Sequence, residues 1–257
     1  MQKTILYYIL IFIFPFCCLS QAKQEYFFKG SINVNNNGID WVPIFSRDKP
    51  SIIANFSLGK DRFSVNPLIR YELDGFQPWG LDIWWNYIIK KQGKFNFDLG
   101  GVFPGVINQR INVINEDLPN TILQPWVAAI VNPNISYSLS SNLKLTLSYY
   151  EILPIKIVNK MQIESGRIII LSSAMKPLSI SNKIYLNWSP LIYAVQLENS
   201  KTGFFSAQTF NIGIVNSPFS ISSVINKPIY FGDLSGKSFN WNLGLNYTFD
   251  LKFIKRD

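Results

Sequence analysis

The closing segment of the chain, SFNWNLGLNYTFDLKF from Ser238 to Phe253, alternates strictly between two kinds of side chain. From Phe239 onward every second residue is apolar or aromatic, and Asn, Gly, Thr, Asp and Lys occupy the positions between them. Successive side chains of a β-strand point to opposite faces, so this segment predicts a long strand with one apolar and one polar face. Such a strand needs an extensive apolar environment on one side only, which restricts the folds available to the chain.

The same alternation recurs along the whole chain, and helical periodicity is scarce. It predicts about twelve strands, most of about 9–11 residues, a length that crosses a bilayer at a tilt. The predicted strands are 26–34, 51–58, 62–72, 80–90, 94–103, 123–139, 142–152, 166–175, 178–189, 203–216, 219–230 and 238–253.

The predicted connections alternate between short and long. The short ones are 59–61, 91–93, 140–141, 176–177 and 217–218, and the long ones are 35–50, 73–79, 104–122, 153–165, 190–202 and 231–237. An antiparallel up-and-down barrel with both termini on its short-turn side produces this rhythm, with tight turns at one end and longer loops at the other. A Greek-key sandwich does not require short and long connections to alternate.

The N-terminal residues have the form of a secretory signal. Lys3 provides a basic start, residues 5–16 are apolar, and Ser20-Gln21-Ala22 has the small-x-small pattern of a cleavage site. We therefore predict a signal peptide over 1–22 and a single domain over 23–257. Lipoprotein processing at the cysteines of positions 17 and 18 is the alternative, but Phe14-Pro15-Phe16 stand where a lipobox needs small residues.

Composition then restricts the chemistry of the mature chain. The sequence has no histidine, and its two cysteines both lie in the predicted signal. Cysteine nucleophiles, zinc sites of the Cys/His type and Ser–His dyads are therefore excluded. A carboxylate pair such as Glu72 with Asp82 offers acid and base groups, but no spacing singles it out. We predict no enzymatic activity, no metal and no cofactor.

The large apolar side chains decide which face of the strands meets water. Charged residues make up 16% of the chain, against roughly 25% in soluble domains, while aromatic residues make up 15%. An interior filled by this much aromatic bulk exceeds what a small soluble barrel holds, and the Trp and Tyr polar tips would need partners there. Facing lipid, the same side chains need none. A soluble secreted β-protein remains as a further alternative.

With its signal, alternating strands, turn rhythm and a last strand carrying Tyr247, Phe249 and Phe253, the chain resembles the bacterial outer-membrane β-barrel class. The resemblance implies an all-β, transmembrane, antiparallel up-and-down barrel of about 12 strands, located in the bacterial outer membrane. It also implies membrane lipid and the outer-membrane assembly machinery as partners, and no nucleic acid. Residues 254–257 follow Phe253, which departs from the usual aromatic end of such chains.

The inward, polar face of the predicted barrel carries charged candidates for lining a lumen. They are Lys29, Arg70, Glu72, Asp82, Asp98, Lys144, Lys183 and Asp250. Arg70, Glu72 and Asp82 fall near the loop end of two neighbouring strands, which predicts a charged cluster just inside the mouth. Two interpretations remain open: the cluster selects passing solutes, or it is a structural ion-pair network.

The third long connection, 104–122, carries Arg110, Glu116 and Asp117. It is predicted either to fold inward as a constriction or to remain an exposed loop.

Tryptophans 79, 126, 188 and 241 fall toward the long-loop ends of the predicted strands, where they would form one of the two aromatic girdles of a membrane barrel. The function predicted from the sequence is a narrow pore or transporter for small polar solutes. The alternative is a non-conducting barrel with a packed lumen, a structural or interaction component of the cell envelope.

Overall fold

The computed structural model describes residues 25–39, 42, 46–115, 118–155 and 165–254, with the side chains at 25, 104, 108–126 and 254 left outside the description. The predicted signal over 1–22 lies outside the described residues, as do Glu116 and Asp117. Within the described part of the chain, no helix is long and apolar enough to span a membrane.

The described residues form fourteen strands, two of which are two residues long. The strands are β1 (Glu25–Asn35), β2 (Ser51–Lys60), β3 (Phe63–Glu72), β4 (Gln77–Gln92), β5 (Phe95–Asn115), β6 (Leu118–Ser138), β7 (Leu143–Pro154), β8 (Gly166–Met175), β9 (Leu178–Ser179), β10 (Ile184–Leu197), β11 (Gly203–Ile214), β12 (Phe219–Tyr230), β13 (Asn240–Trp241) and β14 (Gly244–Ile254). Sequence neighbours pair antiparallel, with β9 joined to β10 and β13 joined to β12. The predicted all-β up-and-down barrel of about twelve long strands is confirmed.

The barrel closes where its first and last strands meet. β1 and β14 are paired from Glu25 opposite Ile254 to Asn35 opposite Gly244. Inside this seam, Asn33 Nδ2 donates to Asn246 Oδ1 at 2.6 Å and Asn35 Nδ2 donates to Asn33 Oδ1 at 2.5 Å. Closure leaves no open edge at this seam, so every long strand has a paired neighbour on both sides.

The burial pattern is inverted relative to a water-soluble protein. On β14, Leu245 is 53% exposed whereas its neighbour Asn246 is 9% exposed. The predicted assignment of the closing strand is therefore confirmed, with the apolar face outward and the asparagine face toward the lumen. The outer surface of the other strands carries exposed apolar side chains in the same way, among them Ile83, Ile135, Leu171, Ile192 and Ile221.

Charged residues mark where this apolar outer band ends on the loop side. Glu151 on β7 and Arg167 on β8 share a register position on the outward face and form an ion pair of 3.3 Å. Lys227 of β12 is also exposed near its loop end. Charges are costly at the middle of a bilayer and cheap at its interface, so these residues place the loop-side boundary of the lipid-facing band.

Some prolines of the long strands lie where the ladder to one neighbouring strand is interrupted. The β2–β3 pairing skips Pro67, the β6–β7 pairing skips Pro133, and residues 187–190 of β10 have no partner in the described β8 and β9. Proline cannot donate to a ladder and is tolerated where pairing is broken. The predicted limits of strand 178–189 and loop 190–202 are wrong, because β10 continues through Pro190 to Leu197.

The prediction of a loop over 104–122 is also wrong, because most of this segment belongs to strands. β5 and β6 stay paired through it, from Gly105 opposite Ala128 out to Asn115 opposite Leu118. The two strands therefore form a hairpin that is longer than any other in the described barrel. Arg110 lies opposite Leu123 in its backbone register, and the constriction role of Arg110, Glu116 and Asp117 stays a prediction.

Placing an arginine on either face of β8 tests the inverted burial. Leu171→Arg puts a charge into the lipid-facing band and should lower the free energy of unfolding by about 2–4 kcal/mol. Ser172→Arg, one residue on, faces the lumen and should cost much less. Urea titrations of protein folded in lipid vesicles measure both values, and equal costs would contradict the assignment of the faces.

Candidate functional site

In the connection between β1 and β2, the described residues 36–39, 42 and 46–50 lie at the loop end of the barrel. Gly38 donates its N–H to Lys49 O at 2.8 Å, Arg47 donates its N–H to Gly38 O at 2.8 Å, and Ile39 and Ser46 form an isolated β-bridge. The described residues on the two sides of this connection therefore pair with each other, and they are called the 36–50 hairpin below. A Cβ atom at Gly38 would lie 2.7 Å from the Trp79 ring, so glycine is required for this hairpin to pack against the wall.

Arginine and carboxylate side chains anchor this hairpin to β3 and β4. Arg47 Nε donates to Glu72 Oε1 at 2.7 Å, and Arg70 Nη2 donates to Asp82 Oδ2 at 2.6 Å. The guanidinium carbons of Arg47 and Arg70 lie 5.7 and 5.5 Å from the centroid of the Trp79 ring, which is 2% exposed. Cation–π contacts and charge-assisted hydrogen bonds are stronger in such a dry site than in water.

The predicted cluster of Arg70, Glu72 and Asp82 is thus present just inside the mouth. Its members are paired and buried: the Arg70 side chain has no solvent exposure and that of Glu72 has 2%. This supports the interpretation of a structural ion-pair network over that of a set of freely exposed selectivity charges. Trp79 belongs to the same cluster, so the prediction that it joins an outer aromatic girdle is wrong.

The opposite wall of the lumen is apolar at the same end. Inward-facing residues of β5, β6, β7, β8, β10 and β11 form one buried cluster, which also includes Val42 of the 36–50 hairpin. The members are Val42, Val102, Ala128, Ile130, Ile152, Ile168, Ile170, Tyr193, Val195, Phe205 and Ala207. Val42 is fully buried within this cluster, so the described residues of the hairpin contact both β3 and β4, through Arg47, and the apolar wall, through Val42.

The short-turn half of the lumen is polar. It contains a cavity of about 310 Å³ lined by Asn55, Asn66, Leu68, Trp84, Asn86, Asn132 and Tyr150, among others. Ser57 Oγ donates to Asn66 Oδ1, and Asn132 Nδ2 donates to the backbone oxygen of Tyr149 at 2.8 Å. Trp84 and Tyr150 also pack against the apolar cluster, so they lie between the polar cavity and that cluster.

Four further residues predicted to line the lumen lie at strand positions that face it: Lys29, Asp98, Lys144 and Asp250. Lys29 lies opposite Asp250 across the β1–β14 seam, and Lys144 lies opposite Ala174 near the short-turn end. Asp98 accepts hydrogen bonds from Asn96 Nδ2 at 2.8 Å and Asn134 Nδ2 at 3.1 Å. Lys183 differs: it precedes β10 in an exposed turn, so its prediction as a residue inside the lumen is wrong.

Sequence reasoning missed Arg47, Val42 and the apolar inner wall. Residues 168–171, Ile-Ile-Ile-Leu, and Phe204-Phe205 are apolar on both faces of their strands, and this loss of alternation was the available signal for a packed lumen. No comparable signal identified Arg47, because its partner Glu72 is distant in sequence and their contact depends on the hairpin folding inward.

Comparisons with solved structures identify the class of barrel to which this fold is similar. No family model and no curated protein matches the sequence. A solved KdgM porin superposes with a TM-score of 0.53 at 7% identity, covering 86% of this chain and 99% of that one. The fold is that of the bacterial outer-membrane barrels. A KdgM porin solved in complex with disordered oligogalacturonate gives a TM-score of 0.52 at 6% identity, covering 87% and 99%. At such identity the similarity establishes fold alone.

Removing the Asp82 charge tests the ion-pair network. In Asp82→Asn the fully buried Arg70 cation keeps its place and loses the carboxylate at 2.6 Å. We expect the free energy of unfolding to fall by about 3–5 kcal/mol, as when one partner of a buried pair is deleted. Arg167→Gln breaks the exposed outer pair with Glu151 and should cost below about 1 kcal/mol. Urea titration measures both, and similar costs would show that the inner pair is solvated.

Proposed function

We propose that the protein is an outer-membrane channel for small polar solutes, held closed at its loop end by the 36–50 hairpin. One observation carries this proposal: Val42 and Arg47 belong to a connection between strands, pack inside the lumen and are held there by an ion pair with Glu72. No barrel strand has to move to release them. The strands supply a rigid wall, and a connection is the part of a barrel that can change position at low cost.

The anchor supports a two-position hairpin. Glu72 sits on the wall and Arg47 sits on the hairpin, so their 2.7 Å contact exists only while the hairpin lies inside the lumen. Val42 adds apolar contact on the far side. Moving the hairpin outward breaks one charge-assisted hydrogen bond and exposes Val42. Both costs are of the order of a few kcal/mol, which suits an equilibrium that a ligand or a membrane potential can shift.

The location is part of the same proposal. The signal over 1–22 directs export, the single domain over 23–257 is assembled into the outer membrane, and membrane lipid covers the outward apolar band. Membrane barrels of this kind place short turns on the periplasmic side and longer connections outside. The hairpin therefore closes the barrel toward the exterior, and the polar cavity opens toward the periplasm.

A second candidate function is a non-conducting envelope component. The observation that favours it is the apolar cluster itself, because a lumen filled by residues such as Ile168, Val195 and Phe205 at 1% exposure or less resembles a packed core. In that case the hairpin is a permanent part of the core, and releasing its anchor destabilises the protein and opens no path.

Weakening the anchor separates the two candidates. Arg47→Ala removes the ion pair with Glu72 and the contact with Trp79, and Glu72→Gln weakens the same ion pair from the wall side. Both variants should raise the open probability in planar bilayers about tenfold or more over the wild type, since a lost charge-assisted hydrogen bond shifts the equilibrium by roughly 1.5–3 kcal/mol.

The matched control is Lys49→Ala. Lys49 lies in the same hairpin and pairs with the exposed Asp74 outside the lumen, so its removal should leave conductance close to that of the wild type. Silence of the wild type and of both anchor variants, with folding confirmed by heat-modifiable gel mobility, would contradict the channel and favour the packed-lumen component.

A further inference from the structure

The polar cavity of the short-turn half has the composition of a binding site for hydroxyl-rich neutral ligands. We propose that it binds neutral saccharides, with the amides of Asn55 and Asn86 as hydrogen-bonding groups and Trp84 as an apolar contact. This inference rests on the proposed channel function and names its solute class.

The amides come from neighbouring strands and share one side of the lumen. Asn55 of β2, Asn66 of β3 and Asn86 of β4 line the same cavity, and their register places them on the inward face. Asn55 is exposed and the other two are half-buried, so a ligand in the cavity can reach them. An amide offers both a donor and an acceptor, which matches a sugar hydroxyl, itself donor and acceptor.

Two further amides on the inward face of the barrel have unsatisfied oxygens. Asn187 of β10 lies opposite Asn211 of β11. Among the described residues, nothing donates a hydrogen bond to the buried Oδ1 atom of either side chain. Buried carbonyl oxygens are normally satisfied, so these two are unmet acceptors on the lumen side of β10 and β11, outside the lining of the cavity itself.

Trp84 and Tyr150 form the aromatic end of the cavity. Their rings meet edge to face with centroids 6.1 Å apart, and Leu68 lines the cavity beside them. Sugar rings present apolar C–H faces between their hydroxyl edges. An aromatic and aliphatic surface next to a row of amides therefore matches both parts of a saccharide, following the general pattern of an apolar pocket with a few placed polar groups.

Charge distribution favours a neutral ligand over an acidic one. The lining residues of the cavity are uncharged. The ionic side chains nearer the periplasmic mouth are of both signs: Lys29 lies opposite Asp250, and Asp98 interacts electrostatically with Lys144. A binder of polyanions needs a run of one positive sign along its path, and the described lumen face places acidic groups beside the basic ones.

Calorimetric titration of the purified barrel in detergent tests the inference without requiring conduction. Maltohexaose and cellohexaose serve as neutral ligands, and trigalacturonate serves as the acidic one. We expect a neutral hexasaccharide to bind, with an affinity unchanged by added salt, and trigalacturonate to bind more weakly. The double variant Asn55→Ala/Asn86→Ala should lower the neutral affinity about tenfold, because each amide contributes about one hydrogen bond.

Two controls isolate the cavity. Asn142→Ala makes the same chemical change in an exposed turn, and Trp241→Phe changes a tryptophan on the outward face; both should bind as the wild type does. Absence of binding by either neutral sugar, tighter binding of trigalacturonate, or equal binding by the double variant would overturn the inference. A barrel that conducts without binding sugar refutes this inference alone, whereas one that binds sugar but stays silent with its anchor weakened refutes the channel alone.

Discussion

Closure of the sheet is the constraint on which the rest of this structure depends. A strand in a bilayer has no water to satisfy its backbone N–H and C=O groups, so each needs a partner strand on both sides. Pairing of β1 with β14 supplies the last of these partners. Once the sheet is closed, strict alternation of side chains sends one face of every strand to lipid and the other into a shared interior. The inverted burial and the existence of a lumen both follow from that closure.

The interior is divided along the barrel axis. On the loop side, Ile168, Val195 and Phe205 face the lumen, and Val42 of the hairpin completes their packing. On the short-turn side, the side chains that face the lumen are asparagine, serine and charged residues. Trp84 and Tyr150 lie between the two, since they line the cavity and pack against the apolar cluster. In the proposed channel, solute passage depends on the hairpin, because the polar half forms a cavity and the wall is fixed by the ladders of the sheet.

The sequence was sufficient for the sheet and insufficient for the lumen. Alternation identified almost every long strand, and it assigned Leu245 and Asn246 to the correct faces, because a period of two is a local property. It misplaced the limits of β10 at Pro190, where the neighbouring ladder is broken and proline costs little. It placed Arg70, Glu72 and Asp82 together correctly, since hairpin neighbours have a predictable register.

Contacts that cross the lumen were out of reach of sequence reasoning. The contact of Arg47 with Glu72, and that of Val42 with the far wall, join residues from different parts of the closed barrel. The hairpin of β5 and β6 was mistaken for a loop because its outer part is rich in Asn and Pro, which are typical of turns. Because these residues are paired in the sheet, the connection between β1 and β2 is the one whose described residues enter the lumen.

Side-specific cysteine labelling tests the central claim, that the 36–50 hairpin separates the polar cavity from the exterior. Both native cysteines lie within residues 1–22, so Asn55→Cys in the processed chain carries a single thiol inside the cavity. A membrane-impermeant maleimide should label it in permeabilised cells and leave it unlabelled in intact cells. In the Arg47→Ala background, intact cells should become labelled as well. Equal labelling of Asn55→Cys in intact and permeabilised cells, with the native hairpin present, would contradict the account.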